Sequence, residues 1–154
     1  MSRGRAKNIL AVSSGGGHWV ELMRLRPAFE GHRMAYVTVS EMYRADVADE
    51  KFYVVNDATR WNYLRLLKLI LRLAMILLRE QPDVVISTGA APGYLAIRLA
   101  KLLTRARTIW LDSIAETGGL SLSGIKVRRY ADLWLTQWPE LAQPNGPDYK
   151  GNVL

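Results

Sequence analysis

Residues 8–18, NILAVSSGGGH, decide the fold that this sequence predicts. The first six residues are a short apolar run of the kind that forms a buried parallel strand. The three glycines that follow allow a tight turn, and a helical pattern begins at Trp19. Strand, glycine-rich turn and helix in this order open a Rossmann-like sheet, in which ligands bind at the carboxyl ends of the strands.

Short apolar runs and longer helical patterns alternate along the rest of the chain. Further strands are predicted at 34–39, 52–55, 84–87, 108–111 and 133–136, and helices at 19–29, 60–80, 93–103 and 124–131. This alternation predicts the α/β class, with a single doubly wound, mostly parallel sheet that has helices on both faces. The chain has 154 residues, so we expect 1–154 to form one domain.

The amino-acid composition limits the kinds of site and partner that this chain can have. The absence of cysteine excludes a disulfide scaffold, a zinc–thiolate site and a cysteine nucleophile, and we predict neither a metal site nor a cofactor. Lys plus Arg is 21 against 14 for Asp plus Glu, which gives a net charge of +7. Such a charge favours an anionic membrane, a phosphorylated ligand or nucleic acid. No nucleic-acid-binding module is visible, so we expect no nucleic-acid partner.

The helical stretch 60–80 carries the clearest membrane signal. Its cations Arg65, Lys68, Arg72 and Arg79 fall on one helical stripe beside a broad apolar face, a pattern typical of an interfacial helix. We therefore expect contact with an anionic membrane; the alternative is the solvated face of a helix that covers the sheet. No run reaches the ~20 apolar residues of a spanning helix. The expected location is the cytoplasm, peripherally on the inner face of the cell membrane.

Two strand-to-helix turns are candidate phosphate sites, because small residues there let a ligand approach the backbone amides of a helix N-terminus. The predicted substrate- or phosphate-binding residues are Ser14, Gly15, Gly16 and Gly17 in the first turn and Thr88, Gly89 and Gly93 in the second. Adjacent strand ends would place both turns around one crevice. The alternatives are glycine-rich turns with no ligand and, for Gly93, tight packing of the helix on the sheet.

Three side chains at these strand ends are candidate catalytic groups. His18 begins the first helix, where it could act as a general base or donate to a phosphate; the alternative is a capping or packing role. Asp112 and Glu116 follow the strand at 108–111 and could be bases, hydroxyl-binding groups or helix caps. A dinucleotide site is less well supported, because Val20 stands where the fingerprint needs its third glycine.

Four segments together resemble one protein family. They are residues 13–18, 87–93, 110–114 with 120–124, and 130–138. In order and spacing they resemble the bacterial exopolysaccharide glycosyltransferase subunits of the PssD type. Those subunits are similar to the membrane-anchor subunit of the eukaryotic two-subunit UDP-N-acetylglucosamine transferase that extends dolichol-linked sugar. The resemblance covers residues 8–154.

The resemblance implies the N-terminal, acceptor-side half of a GT-B glycosyltransferase. It implies a second subunit that carries the UDP-sugar site, a lipid-linked saccharide acceptor and inverting sugar transfer. It also implies that Gly15, Gly16, Gly17 and His18 face the catalytic cleft with Gly89 and Gly93. Asp112 matches a position where the family often has glutamate.

The turn-rich residues 143–154 are predicted to leave the last strand as a partner-facing tail. The alternative is a C-terminal strand that completes the chain's own sheet. Two alternative functions also stay open. One is a non-catalytic anchor that recruits a catalytic subunit, and the other is a stand-alone nucleotide-binding Rossmann protein.

Overall fold

The computed structural model describes residues 4–59, 61–116 and 118–153. Within these ranges one parallel sheet contains the strands β1 (Asn8–Ser13), β2 (Arg33–Thr38), β3 (Lys51–Val54), β4 (Val84–Gly89), β5 (Arg107–Leu111), β6 (Leu133–Thr136) and β7 (Asp148–Tyr149). The strand order is β3-β2-β1-β4-β5-β6-β7, and every neighbouring pair is parallel. The predicted parallel sheet is confirmed.

Helices cover both faces of this sheet. The α-helices of the described chain are α1 (Gly17–Arg24), α2 (Tyr63–Glu80), α3 (Ala90–Leu103) and α4 (Leu122–Val127), with short 3₁₀ helices at Arg26–Phe29, Glu41–Val47 and Pro139–Leu141. One core packs α2, α3 and α4 against the sheet, and a second core packs α1 and the first two 3₁₀ helices against the opposite face. The fold is therefore doubly wound.

Several helix bounds differ from the prediction. The helix predicted at 19–29 ends at Arg24, and a 3₁₀ helix follows, because Pro27 has no amide hydrogen to continue the α-helical bonding. The stretch predicted at 60–80 begins its helix at Tyr63, where the Asn62 side chain accepts a hydrogen bond from the Arg65 amide at 3.1 Å. Residue 60 lies outside the described residues.

The C-terminal segment differs from its prediction more strongly. Asp148 and Tyr149 pair in parallel with Leu135 and Thr136 of β6, so the expectation that the chain leaves the sheet is wrong. Beyond β7, the carbonyl oxygen of Val153 accepts a hydrogen bond from the Arg24 guanidinium at 2.8 Å. The segment adds a strand to the chain's own sheet, which was the alternative interpretation. Residue 154 lies outside the described range. The partner-facing role of residues 143–154 stays a prediction.

The topology also sets the direction of α2. Because α2 connects the parallel strands β3 and β4, its first residues lie at the carboxyl edge of the sheet and its last residues at the amino edge. Within the described residues, no helix combines the length and the apolar character needed to cross a membrane.

Candidate active site

A cleft lies where the carboxyl ends of the neighbouring strands β1, β4 and β5 meet. Its volume is about 340 Å³. It is lined by the predicted site residues His18, Thr88, Gly89, Asp112 and Glu116, together with Ala90, Ser113, Leu120, Ser121, Leu122 and Ser123. All three candidate catalytic side chains therefore come together, although His18 is 94 residues before Asp112 in the sequence.

His18 is held by two reciprocal hydrogen bonds with Thr88. Its ring nitrogen Nδ1 lies 3.0 Å from the Thr88 carbonyl oxygen, and the Thr88 hydroxyl donates to the His18 carbonyl at 2.7 Å. Because a carbonyl oxygen only accepts, Nδ1 must carry the proton in this bond. The neutral ring then keeps its lone pair on Nε2, which is the arrangement a general base requires.

The imidazole occupies space that only glycine leaves free. A Cβ atom on Gly89 would lie 2.5 Å from His18 Nδ1, and the φ angle of Gly89 is +144°, in a region that favours glycine. Ala90 follows with a φ of +63°. Backbone in such sparsely populated conformations collects at functional sites. The turn between β4 and α3 is therefore shaped around His18.

Two helix N-termini open at this edge. The N-caps of α1 and α3 are Gly16 and Gly89, and within these fully described helices no side chain caps the first turn and no acidic residue lies in it. Their amide groups and helix dipoles place partial positive charge there. An anionic group such as a diphosphate would be stabilised by this arrangement.

Tyr43 covers the glycine loop, which the sequence did not indicate. Its hydroxyl oxygen accepts a hydrogen bond from the Gly16 amide at 2.8 Å, and its ring stacks on Trp19 with centroids 5.0 Å apart. The Trp19 indole in turn donates to Asp46 at 2.8 Å. The 3₁₀ helix at Glu41–Val47 therefore supports Ser14, Gly15, Gly16 and Gly17 from one side.

Asp112 is buried, with 2% of its surface exposed, and its carboxylate binds groups of the same chain. Oδ1 accepts from the Trp110 indole at 3.1 Å and from the Ser121 hydroxyl, and Oδ2 accepts from the Ser121 amide at 2.9 Å. A Cβ on Gly124 would lie 2.6 Å from Oδ1. These contacts hold the start of α4 against β5. The predicted catalytic role of Asp112 stays a prediction.

Glu21 is a second buried acid, and it was not predicted from the sequence. One of its oxygens, Oε1, accepts from the Ser113 hydroxyl at 3.1 Å and from the Ile114 amide at 2.8 Å. The sequence feature that could have indicated Glu21 is its position, three residues after His18 and among the apolar residues of α1. Charged residues are rarely buried without partners, so such a position indicates a specific contact.

Gly93 lies below the cleft rather than in its lining. It is buried, and a Cβ there would lie 1.9 Å from the Ser87 hydroxyl oxygen and 3.4 Å from the Trp110 ring. Tight packing of α3 on β4 and β5, the alternative that the sequence left open, accounts for this glycine.

The predicted membrane-contact residues Arg65, Lys68, Arg72 and Arg79 are all exposed along α2. Beside them runs a row of apolar side chains that are between 52% and 82% exposed, namely Leu64, Leu67, Leu71, Met75 and Leu78. The helices α2, α3 and α4 carry seven cations and one acid. The helices on the opposite face, α1 and the first two 3₁₀ helices, carry three of each. The helical excess of positive charge therefore lies on the α2 face.

No protein-family model matches the chain. The UDP-N-acetylglucosamine transferase subunit ALG14 of Eremothecium gossypii is 27% identical over 172 residues, covering 92% of this chain and 77% of that protein. The chain is homologous to ALG14. The same subunit from Yarrowia lipolytica is 33% identical over 70 residues, which are 42% of this chain and 32% of the relative.

Solved structures agree on the fold. MurG of Acinetobacter baumannii superposes with a TM-score of 0.77 at 13% identity, over 96% of this chain and 46% of MurG. The UDP-GlcNAc 2-epimerase of Methanocaldococcus jannaschii, solved with UDP-GlcNAc and UDP, gives 0.70 at 12% identity, over 94% of this chain and 46% of the epimerase. The chain thus spans just under half of these proteins, and the predicted Rossmann-like fold, equivalent to one half of the GT-B fold, is confirmed.

Proposed function

We propose that this chain is the acceptor-side subunit of a two-component inverting glycosyltransferase. The enzyme would move a sugar from a UDP-sugar to a polyprenyl-diphosphate-linked saccharide in exopolysaccharide synthesis. A second subunit would hold the UDP-sugar. The proposal is supported by the homology to ALG14, which is named as a transferase subunit, and by the MurG-like fold.

One observation carries the proposal. The ring of His18 has its Nδ1 committed to the Thr88 carbonyl, and it stands beside two helix N-termini that have neither an acid nor a side-chain cap in the described chain. A base beside an anion-binding backbone suits a substrate that carries a hydroxyl near a diphosphate.

The chemistry follows from these groups. The acceptor hydroxyl attacks the anomeric carbon of the donor sugar while Nε2 of His18 takes its proton. The bond between that carbon and the UDP oxygen breaks, and UDP leaves with the electron pair. The amides of the α1 and α3 N-termini hold the diphosphate of the acceptor, and the partner subunit closes the cleft and excludes water.

The α2 face supplies the proposed membrane contact. Leu64, Leu67, Leu71, Met75 and Leu78 would enter the boundary between head groups and acyl chains, while the adjacent cations bind lipid phosphates. The cleft lies at the sheet edge where α2 begins. This placement would keep the cleft close to the membrane and to a lipid-linked acceptor, on the inner face of the cell membrane.

The non-catalytic anchor remains a second candidate, because the carboxylate of Asp112 is already engaged by Trp110 and Ser121 and so offers no second free catalytic group beside His18. The stand-alone dinucleotide reading is weaker. Glu41 lies shortly after β2, where a dinucleotide site would place its ribose-binding acid. It is exposed and forms an ion pair with Arg44, and a hydrogen bond from that guanidinium lowers the pKa of Glu41.

The test is reconstitution with the partner subunit that co-purifies from the native host. The chain alone should transfer no sugar from any UDP-sugar, and the complex should transfer one. His18→Asn retains an amide that can donate to Thr88 but removes Nε2, so turnover should fall 10²–10⁴-fold, roughly the range for general acid–base catalysis, with the fold intact. His18→Gln, which lacks the ring, should be equally slow.

The matched control is His32→Asn, because His32 is the only other histidine and its ring accepts from the Lys7 amide. This variant should keep normal turnover. Robust transfer by the isolated chain would contradict the two-subunit proposal. Normal turnover of both His18 variants in the complex would favour the non-catalytic anchor.

Membrane binding is tested separately with vesicles that contain anionic lipid. The double variant Lys68→Glu, Arg72→Glu should lose binding, and wild-type binding should weaken as salt is raised. The control Arg24→Glu, Arg44→Glu makes the same change in net charge on the opposite face and should still bind. An equal loss of vesicle binding in both double variants would contradict a specific contact through α2. A wild-type chain that does not bind the vesicles at low salt would contradict it as well.

A further inference from the structure

Glu21 has a role that the proposed mechanism does not assign. Its side chain is 4% exposed, although a carboxyl group is costly to bury without partners. Oε1 accepts the hydrogen bonds from both Ser113 and Ile114, whereas Oε2 has no partner among the described residues. A buried acid with this environment has a specific structural or functional task.

The group that Glu21 holds is the loop after β5. Ser113, Ile114 and Glu116 belong to this loop, and Ser113 and Glu116 line the cleft. Ser113 shapes the loop further, because its hydroxyl accepts from the Ala115 amide at 3.2 Å and its carbonyl accepts from the Glu116 amide at 3.1 Å. A fixed Ser113 therefore fixes the position of the Glu116 backbone amide.

The same loop is held on its other side by the segment after β6. The Trp138 indole donates to the Ile114 carbonyl at 2.9 Å, and the Gln137 side chain donates to the Asp112 carbonyl at 3.0 Å. Ile114 thus has its amide bound to α1 and its carbonyl bound to Trp138. A change in the contact with α1 should therefore change the environment of the Trp138 indole NH.

Glu21 connects this loop to the helix that carries His18. The two residues are three apart on α1, so they lie on the same side of the helix. Trp19 anchors a different side of α1 through its contacts with Tyr43 and Asp46. Apart from the two hydrogen bonds of Glu21, no hydrogen bond joins α1 to residues 112–116 within the described part of the chain.

We propose that Glu21 is a positioning residue of the cleft: through Oε1 it holds the loop after β5 against α1 and so sets Glu116 and Ser113 relative to His18. Its effect on catalysis rests on the proposed function. Its effect on the loop does not, and the two can be measured apart.

The first measurement uses the isolated full chain and its tryptophan indole NH signals in a ¹H–¹⁵N spectrum. Glu21→Met keeps much of the side-chain volume and removes both acceptors, and Glu21→Gln keeps an amide oxygen that can accept both hydrogen bonds. We expect Glu21→Met to shift the Trp138 indole signal and the Ile114 amide signal. Glu21→Gln should restore both, and the exposed control Glu30→Gln should leave them unchanged.

The second measurement uses the reconstituted complex. Glu21→Met should lower kcat on the order of 10²-fold, the cost of misplacing catalytic groups by about 1 Å, with the KM for the UDP-sugar unchanged because the partner holds the donor. Glu21→Gln should recover most of kcat. Ser113→Ala removes one donor from the loop side and should give an intermediate loss.

The outcomes are decisive in each arm. An unmoved Trp138 indole in folded Glu21→Met overturns the proposal whether or not the complex transfers sugar. Should Glu21→Met fail to fold, Ser113→Ala takes its place in both arms, and an unmoved Ile114 amide or an unchanged kcat overturns the proposal. Equal loss of kcat in Glu21→Gln and Glu21→Met also overturns it, because Oε1 would not be the group that matters. A wild-type complex without transfer would contradict the proposed function alone.

Discussion

Gly89→Ala probes the link between the backbone of the cleft and the orientation of His18. The φ and ψ angles of Gly89 are 144° and 179°, a combination that is essentially confined to glycine and costs another residue about 1–3 kcal/mol. The new methyl group would also lie 2.5 Å from His18 Nδ1 and 2.6 Å from Cε1. The imidazole must therefore turn away and lose its hydrogen bond to Thr88.

The expected cost adds the backbone term to the lost hydrogen bond. That bond contributes about 0.5–1.5 kcal/mol, so Gly89→Ala should lower the free energy of unfolding by about 1.5–4.5 kcal/mol. This is a large fraction of the 5–15 kcal/mol typical of a domain. The measurement is urea unfolding followed by tryptophan fluorescence. Because the chain has two histidines, the His18 ring signals can be followed separately by NMR.

Two other glycines of the first turn are matched controls. Gly16 has a φ of +65° with nothing within 4 Å of an added Cβ, so Gly16→Ala should show only the cost of left-handed backbone, about 1–2 kcal/mol. Gly17 also has open space and no positive φ, so Gly17→Ala should be close to neutral. A Gly89→Ala variant that costs no more than Gly16→Ala and leaves the His18 ring signals in place would contradict the link between Gly89 and the orientation of His18.

Three further changes test contacts beside the cleft and, for Asp132, at the opposite edge of the sheet. Tyr43→Phe keeps the ring on Trp19 and removes the acceptor of the Gly16 amide. Stability should fall by about 0.5–1.5 kcal/mol, and that amide should exchange faster with deuterium. Asp112→Asn should cost about 1–3 kcal/mol, because an amide nitrogen cannot accept the hydrogen bond from the Ser121 amide; an unchanged urea midpoint would contradict this. Burial raises the pKa of Asp132, but hydrogen bonds from a lysine on α3 and from β5 outweigh it and lower the pKa below its ordinary 3.8. The stabilisation by this carboxylate should be complete above pH 3.8 and disappear as the pH falls through the lowered pKa. The difference in the free energy of unfolding between wild type and Asp132→Asn should therefore narrow in acid and stay constant between pH 5 and 8.

Local patterns in the sequence were sufficient for most of the architecture. The bounds of β1 and β6 were predicted to the residue, and the end of α2 at Glu80 follows from Pro82, which cannot continue a helix. Strand and helix periodicities depend on neighbours a few positions away, so these elements could be predicted without knowledge of the rest of the chain. The short strand β7 carries no such pattern and was predicted only as an alternative.

The candidate site was predictable where its residues follow strand ends. His18, Thr88, Gly89, Asp112 and Glu116 each stand at a strand end or shortly after it, and parallel strands bring such positions to one edge. Which of them is free to meet a ligand was not predictable. The carboxylate of Asp112 is bound by Ser121, and Gly93 packs on Ser87, because of side chains that approach only in the folded chain.

The sequence by itself determined that this protein has a Rossmann-like fold, glycine-rich turns at the strand ends, a histidine at the start of the first helix and a basic stripe on one long helix. Only the tertiary structure decided that Tyr43 covers the glycine loop, that Glu21 holds the loop after β5, and that the helical excess of positive charge lies on one face of the sheet. The reason is physical. Periodicity and turn chemistry act over a few residues, whereas these contacts depend on the strand order, which brings together residues 27 and 93 positions apart in the chain.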